Sequence, residues 1–112
     1  MIDPQLGSWL EKCRQVSLAH FAMRGGHPWS IGDQMLHAHS EVSELYELLR
    51  AWDKPELQKL SEEQKRRMAL NEICDIIYSA ITCTHIMKFS DAEILDGLLK
   101  TLEKIQKRAG VA

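Results

Sequence analysis

Residues 69–87 read ALNEICDIIYSAITCTHIM. This stretch is mostly apolar or small, and it contains two acidic residues, Glu72 and Asp75, but no Lys or Arg. Apolar residues recur there at steps of three and four, which predicts a helix. The helix is expected to continue through Leu70, Ile73, Ile77, Ile81 and Thr84. Glu72 and Asp75 lie three residues apart and therefore on one helical face. Because like charges repel and partial burial adds a desolvation cost, a positive charge is required beside them.

The preceding helix shows the same imbalance of charge. No Lys or Arg occurs between Arg24 and Arg50, whereas four acidic residues do: Asp33, Glu41, Glu44 and Glu47. An apolar stripe suited to packing against other helices is formed by Met35, Ala38, Val42, Leu45, Leu49 and Trp52. His37, Glu41 and Glu44 share a strip beside it, and His37 is expected to be partly buried and hydrogen-bonded.

Placed antiparallel, these two helices are expected to direct four carboxylates into a shared crevice: Glu41, Glu44, Glu72 and Asp75. Four carboxylates without a protein cation favour a hard divalent metal. We therefore predict a Mg²⁺ site that retains several waters, with Mn²⁺ as a substitute ion. The competing interpretation is a solvated acidic face, or one neutralised by an Arg or Lys from another subunit.

The rest of the chain predicts further helices and no sheet. With 112 residues and 12.8 kDa, the chain has room for a single domain, residues 1–112. Helix signals run from Asp3-Pro4 to Gly25-Gly26, from Ser30 to about Trp52, and from the capping box at Ser61. A charged, solvated connection is expected over 53–67. A last helix opens at the capping box of Ser90, with Ile94, Leu98, Leu102 and Ile105 directed inward. We expect an all-α, four-helix bundle-like fold, completed by a second subunit.

Composition excludes several classes of protein. Hydrophobic residues make up 45% and the net charge is −2, which argues against a disordered chain and against nucleic acid or anionic lipid as partner. From the residues at its start we expect no secretory leader, and no apolar run of the sequence reaches membrane-spanning length. The three cysteines fit a reducing compartment, so we expect a cytoplasmic protein. Cys74 and Cys83 are interpreted as small core residues.

The two acidic pairs, Glu41-Val-Ser-Glu44 and Glu72-Ile-Cys-Asp75, resemble the hallmark of the MazG-related, all-α nucleoside triphosphate pyrophosphohydrolases. The surrounding blocks EVSELYELLR and NEICDIIYSA resemble the family as well, and the similarity covers about residues 27–108. It implies a homodimer or homotetramer with active sites formed partly at subunit contacts. It also implies Mg²⁺-dependent hydrolysis of a nucleoside triphosphate, often a deoxynucleotide, to the monophosphate and pyrophosphate. Glu41 or Glu44 is the expected group that orients or deprotonates the attacking water.

Further substrate contacts are predicted partly from the same resemblance. Lys54 and three basic residues of the last helix, Lys104, Lys107 and Arg108, are candidates for binding phosphate oxygens. His27 and Trp29 precede the second helix, where some relatives that hydrolyse deoxycytidine triphosphate recognise the base. Trp29 is a candidate for stacking and His27 for hydrogen bonding, whereas Trp52 is interpreted as structural.

Two other functions stay open from the sequence. Phosphoribosyl-ATP pyrophosphohydrolase has a related scaffold and the same carboxylate chemistry, so only substrate assays separate it. A helical dimer that acts as a non-catalytic adaptor or regulator would use the same apolar stripes and leave the acidic residues solvated. A di-iron bundle is disfavoured, because none of the four acids is followed by His three residues later.

Overall fold

The computed structural model describes residues 4–23 and 30–111, with side-chain surroundings for 4–19 and 30–111. Within these ranges the chain forms four α-helices, one 3₁₀ turn and no strand, which confirms the all-α prediction. The elements are α1 (Pro4–Met23), α2 (Ile31–Arg50), a 3₁₀ turn (Pro55–Leu57), α3 (Glu62–Ile86) and α4 (Asp91–Ala109). No helix in these ranges is both long and apolar enough to cross a membrane.

Three helices begin with the same local device. The hydroxyls of Ser30, Ser61 and Ser90 each accept a hydrogen bond of 3.1 Å from the backbone N–H three residues later. The side chain at that later position accepts from the serine N–H in return. Each capping box satisfies two donors that the helix itself leaves unpaired, and such caps contribute about 1 kcal/mol. The capping boxes predicted at Ser61 and Ser90 are confirmed.

Helices α2 and α3 are antiparallel neighbours along their length. Gln34, near the start of α2, donates from Nε2 to the carbonyl oxygen of Ser79, at 3.2 Å. Trp52, just beyond the end of α2, donates from Nε1 to Glu62, the first residue of α3, at 3.1 Å. The start of α2 therefore lies beside the later part of α3, and the end of α2 lies beside the start of α3. This direction sets the middle of α2 opposite the middle of α3.

The apolar core lies where α1, α3 and α4 meet. Its buried members are Leu10, Cys13, Ile81, Ile94 and Leu95, with Tyr78 packed against them. A buried polar layer continues it, because the Ser17 hydroxyl lies 3.1 Å from Thr82 Oγ1 and 3.3 Å from Tyr78 Oη. Arg14 of α1 pairs with Asp91 at the start of α4. Helix α4 is thus anchored to the rest of the chain by its first two turns.

Several apolar residues predicted to pack are exposed in the single chain. In α2, Met35 is 61% and Leu49 53% exposed, and in α4 Leu98, Leu102 and Ile105 are each more than half exposed. The prediction that these α4 residues point inward is therefore wrong for one chain and holds only for Ile94. The reason is that α4 leaves the core after its second turn. Cys74 is also exposed rather than a core residue, and Cys83 is half-buried.

Lys65 departs from the expectation of a solvated connection over 53–67. Its side chain is buried, although it is surrounded in sequence by charged residues. The ammonium donates to the Trp52 carbonyl oxygen at 3.1 Å, pairs with Glu62 at 2.7 Å and lies 5.3 Å from the centre of the Trp52 ring. These contacts satisfy the charge, and they tie the end of α2 to the start of α3.

Replacing Lys65 with alanine is expected to lower the free energy of unfolding by about 1–3 kcal/mol, because a carbonyl and a carboxylate lose their donor. Urea unfolding measures the change. Lys59→Ala is the matched control, since Lys59 is exposed in the connection that precedes α3 and should shift stability by less than about 0.5 kcal/mol. Equal effects of the two substitutions would contradict a structural role for Lys65.

His85 is a buried ionisable group at the junction of α1, α3 and α4. It is 4% exposed, and neither ring nitrogen has a hydrogen-bond partner among the described residues. Burial lowers the pKa of His85, and the nearby Arg14 lowers it further, against smaller opposing effects of Asp91 and Glu11. The folded protein therefore holds this imidazole neutral where the unfolded chain would protonate it.

The free energy of unfolding is expected to fall as pH drops through about 6.5, because the unfolded chain takes up a proton that the folded His85 refuses. The loss continues down to the lowered pKa of the folded state. Urea unfolding between pH 7.5 and 5 should show a shallower fall for His85→Gln than for the parent chain. His39→Gln, at an exposed position of α2, should retain the parent slope. Parallel profiles for the parent and His85→Gln would refute this account.

Candidate metal centre

A cluster of carboxylates lies at the middle of the α2–α3 pair. The antiparallel direction of the two helices brings these acidic residues opposite one another. Glu41 from α2 and Glu72 and Asp75 from α3 each place one carboxylate oxygen within 4.8 Å of the others. Glu41 and Glu72 are half-buried, whereas Asp75 is exposed. One turn of α3 therefore faces one turn of α2, with three carboxylate oxygens that could be offered to one ion.

Glu44 completes the group on the exposed side. Its carboxyl lies against that of Glu72, one helical turn from Glu41 along α2. Desolvation raises the pKa of Glu72, and the charges of Glu44, Glu41 and Asp75 raise it further. The three other predicted carboxylates thus all act on Glu72, which lies among them.

Among the side chains that the structure describes, no lysine or arginine matches the negative charge of this cluster. No lysine or arginine in the described ranges lies within 4.0 Å of a carboxylate oxygen of these four residues. Oε2 of Glu72 is shielded from solvent and lacks a hydrogen-bond partner in the same ranges. A shielded carboxylate oxygen without a donor is costly, and a bound cation would remove that cost.

His37 holds one of the carboxylates in place. Its Nε2 lies 2.9 Å from Oε1 of Glu41, one turn further along α2. The Glu41 side chain is 13% exposed and the His37 side chain 39%, so the pair lies at the edge of the cluster. This contact agrees with the expectation of a partly buried, hydrogen-bonded histidine. It fixes the orientation of Glu41, as outer partners do for metal-binding groups.

The donor set fits a hard divalent cation. The donors are all oxygen atoms from carboxylates, which suit Mg²⁺ and Mn²⁺ and do not suit soft ions that prefer thiolate. The exposed rim at Asp75 and Glu44 leaves space for water or for a phosphate oxygen. Glu41, Glu72 and Asp75 are the residues best placed to hold such an ion, with Glu44 next to them.

The other predicted substrate contacts are not joined to this cluster in the described chain. His27 and Trp29 lie outside the described residues. Lys54 is exposed directly before the 3₁₀ turn. Lys104 and Arg108 are exposed on α4 and line a groove of about 450 Å³ with Lys100, Glu103 and Lys107. Within the described ranges, no hydrogen bond or ion pair connects Lys54, Lys104 or Arg108 with the carboxylates of the cluster.

A second groove was not anticipated from the sequence. It has a volume of about 510 Å³ and lies at the end of α2 and the start of α3, where Trp52, Arg66 and Arg67 border it with Glu63 and apolar residues. Glu63 pairs with Arg67 at 3.0 Å, so Arg66 is the guanidinium without this partner. Arginines beside an aromatic ring are suited to anions with a planar ring. The only sequence signal is the adjacent pair Arg66-Arg67 in a charged segment, which is also typical of a solvated helix.

Comparisons of this chain with protein-family models, with curated proteins and with solved structures give no match. What points to a function in this chain is therefore the carboxylate cluster itself, together with the sequence resemblance of the two acidic motifs described above.

Proposed function

We propose that this protein hydrolyses a nucleoside triphosphate, of ribose or deoxyribose type, to the monophosphate and pyrophosphate in a Mg²⁺-dependent reaction. In this proposal the fold is of the MazG type, and the active form is a homo-oligomer in the cytoplasm. The observation that carries the proposal is the meeting of Glu41, Glu72 and Asp75, with no lysine or arginine paired to them in the described part of the chain. A triphosphate brings oxygen ligands that would share a cation with these carboxylates.

The structure supports distinct roles for the two acids of α2. Glu41 belongs to the group of three converging oxygens and is held by His37, which suits a fixed ligand. Glu44 lies outside that group, exposed and next to Glu72, which suits a group that meets water. We therefore assign Glu44 as the base that accepts a proton from the attacking water.

The reaction is a displacement at the α-phosphorus. The oxygen of the water forms a bond to that phosphorus, the anhydride bond to the β-phosphate breaks, and pyrophosphate leaves with its electron pair. A magnesium ion in the cluster would supply electrostatic stabilisation of the phosphate oxygens. Glu41, Glu72 and Asp75 would hold that ion, and Glu44 takes up the proton released by water.

Contacts to the rest of the substrate belong to the proposal as well. His27 and Trp29 are proposed to bind the base, with deoxycytidine triphosphate as the first substrate to test. Lys54, Lys104 and Arg108 are proposed to bind phosphate oxygens. Because Lys104 and Arg108 have no contact with the cluster in the described chain, they would serve a site completed by another subunit.

Mg²⁺ is expected to raise the melting temperature, because an ion that binds only the folded chain stabilises it. At ten times the dissociation constant the gain is about 1.4 kcal/mol, or several degrees for a domain of this size. Differential scanning fluorimetry measures the shift. Glu72→Gln should abolish it and leave the metal-free protein at least as stable, since repulsion is removed.

Glu47→Gln is the matched control for this shift. Glu47 lies on the same helix, is exposed and pairs only loosely with Arg50, at 3.7 Å. This variant should respond to Mg²⁺ like the parent chain. An unchanged melting temperature of the parent at millimolar Mg²⁺, with and without nucleotide, would favour the adaptor function instead.

Incubation with a panel of triphosphates and Mg²⁺ is expected to yield monophosphate and pyrophosphate, resolved by ion-exchange chromatography. Glu44→Gln should lower kcat by about 100-fold or more, because the proton acceptor is lost, while Mg²⁺ still raises the melting temperature. Activity on phosphoribosyl-ATP alone would contradict the proposed substrate class. A nucleoside diphosphate and orthophosphate as products would contradict the proposed cleavage between the α- and β-phosphates.

A further inference from the structure

Helix α1 is attached to α3 and α4 by a narrow set of contacts. The buried side chains among residues 4–19 recur at steps of three and four, so they share one face: Leu10, Cys13 and Ser17. Beside this row, Arg14 pairs with Asp91 at the start of α4 and donates to the Phe89 carbonyl oxygen at 3.4 Å. The attachment therefore combines one buried row with one ion pair.

His85 lies at this attachment, and its imidazole is buried. The residue is 4% exposed, and neither ring nitrogen has a hydrogen-bond partner in the part of the chain that the structure describes. The charged groups that act on the ring are Arg14 and Glu11 from α1 and Asp91 from α4. Arg14 has the largest effect of the three, and Asp91 has a larger effect than Glu11. The ring therefore lies in the field of the ion pair that joins α1 to α4.

A proton on His85 changes the balance of this ion pair. The imidazolium has two N–H donors and a charge, and a buried charge without a partner is costly. Asp91 is the acid with the larger effect on the ring, but it already pairs with Arg14. Two cations then repel each other and compete for one carboxylate. Movement of α1 away from the ring relieves this cost, because it removes Arg14 and admits water.

We propose that α1 is a pH-sensitive helix, which detaches from α3 and α4 when His85 takes up a proton from solvent. In the detached state Asp91 accepts a hydrogen bond from the imidazolium. Detachment uncovers the core residues of α3 and α4: Ile81, Ile94 and Leu95. The hydrogen bonds that join α2 to α3 involve no residue of α1, so this pair stays in place. The inference does not rest on the proposed hydrolysis, and either can fail alone.

The direction of the pH effect follows from the two states of His85. Burial and the charge of Arg14 hold the pKa of the attached ring below 6.5, the ordinary value that the detached ring regains. The detached state therefore binds more protons, and its population rises as pH falls through about 6.5. The rise continues down to the lowered pKa of the attached state. For one proton, the ratio of detached to attached chains grows about three- to tenfold between pH 7.5 and 5.5.

The thiol of Cys13 reports detachment of α1. It is 6% exposed in the attached state, and burial raises its pKa. Labelling with dithiodipyridine, followed by mass spectrometry of the peptides, gives the rate at Cys13. The reference is the same thiol in a synthetic peptide of residues 8–18, so the ratio of the two rates cancels the direct effect of pH on the thiol. We expect this ratio to rise about three- to tenfold from pH 7.5 to 5.5.

Three variants assign the effect to His85. His85→Gln takes up no proton, so its ratio should change by less than about twofold over this range. His39→Gln is the matched control, at an exposed position of α2, and should follow the parent chain. Arg14→Gln removes the ion pair, so its ratio at pH 7.5 should exceed that of the parent at least about threefold. Its further rise on acidification should be smaller than that of the parent, because Asp91 is then free to pair with His85.

Urea unfolding at each pH separates detachment of α1 from unfolding of the whole chain. The proposal requires that the detached fraction at pH 5.5 exceed the unfolded fraction by at least about tenfold. Equal fractions would mean that Cys13 reacts only in the unfolded chain, and would overturn the proposal. A parent ratio that does not change with pH, or an equal rise in His85→Gln, would overturn it as well. So would an Arg14→Gln chain that is labelled like the parent at pH 7.5.

Discussion

Four carboxylates face one another across α2 and α3, and no lysine or arginine of residues 30–111 pairs with them. This unbalanced charge is the constraint on which the rest of the described structure depends. Their repulsion and partial burial raise the pKa of Glu72. A raised carboxyl pKa means that the metal-free folded protein loses stability as pH rises above the usual range of glutamate. A purely structural helix pair would gain by replacing Glu72 with an apolar residue. Keeping the acid is physically reasonable if a cation normally supplies the missing charge.

The surroundings of the cluster are built to hold it despite this cost. Lys65 joins the two helices at one end, and the bond from Gln34 to Ser79 joins them at the other. The repelling groups are therefore kept opposite each other by contacts outside the cluster. His37 orients Glu41 from the same helix. Binding groups arranged in advance lower the entropy lost when a ligand binds.

The positions of the helices, and the convergence of acidic residues from α2 and α3, could be predicted from the sequence. Serine caps marked three helix starts, and the three-residue spacing of Glu41 and Glu44, and of Glu72 and Asp75, indicated which faces meet. Burial could not be predicted in the same way. A periodic apolar stripe shows that a face needs cover, but Leu98 and Leu102 do not reveal whether the cover comes from the same chain. Lys65 was missed because its partners, a backbone carbonyl and the Trp52 ring, become neighbours only after folding.

The most direct test of the central claim is a metal titration of the free protein, with Mn²⁺ followed by electron paramagnetic resonance and Mg²⁺ as competitor. The account predicts saturable binding of Mn²⁺ that Mg²⁺ displaces, and a dissociation constant at least about tenfold weaker in Asp75→Asn, which removes one charged ligand. Absence of saturable binding at millimolar metal, or equal binding by Asp75→Asn, would show that these carboxylates do not form a cation site.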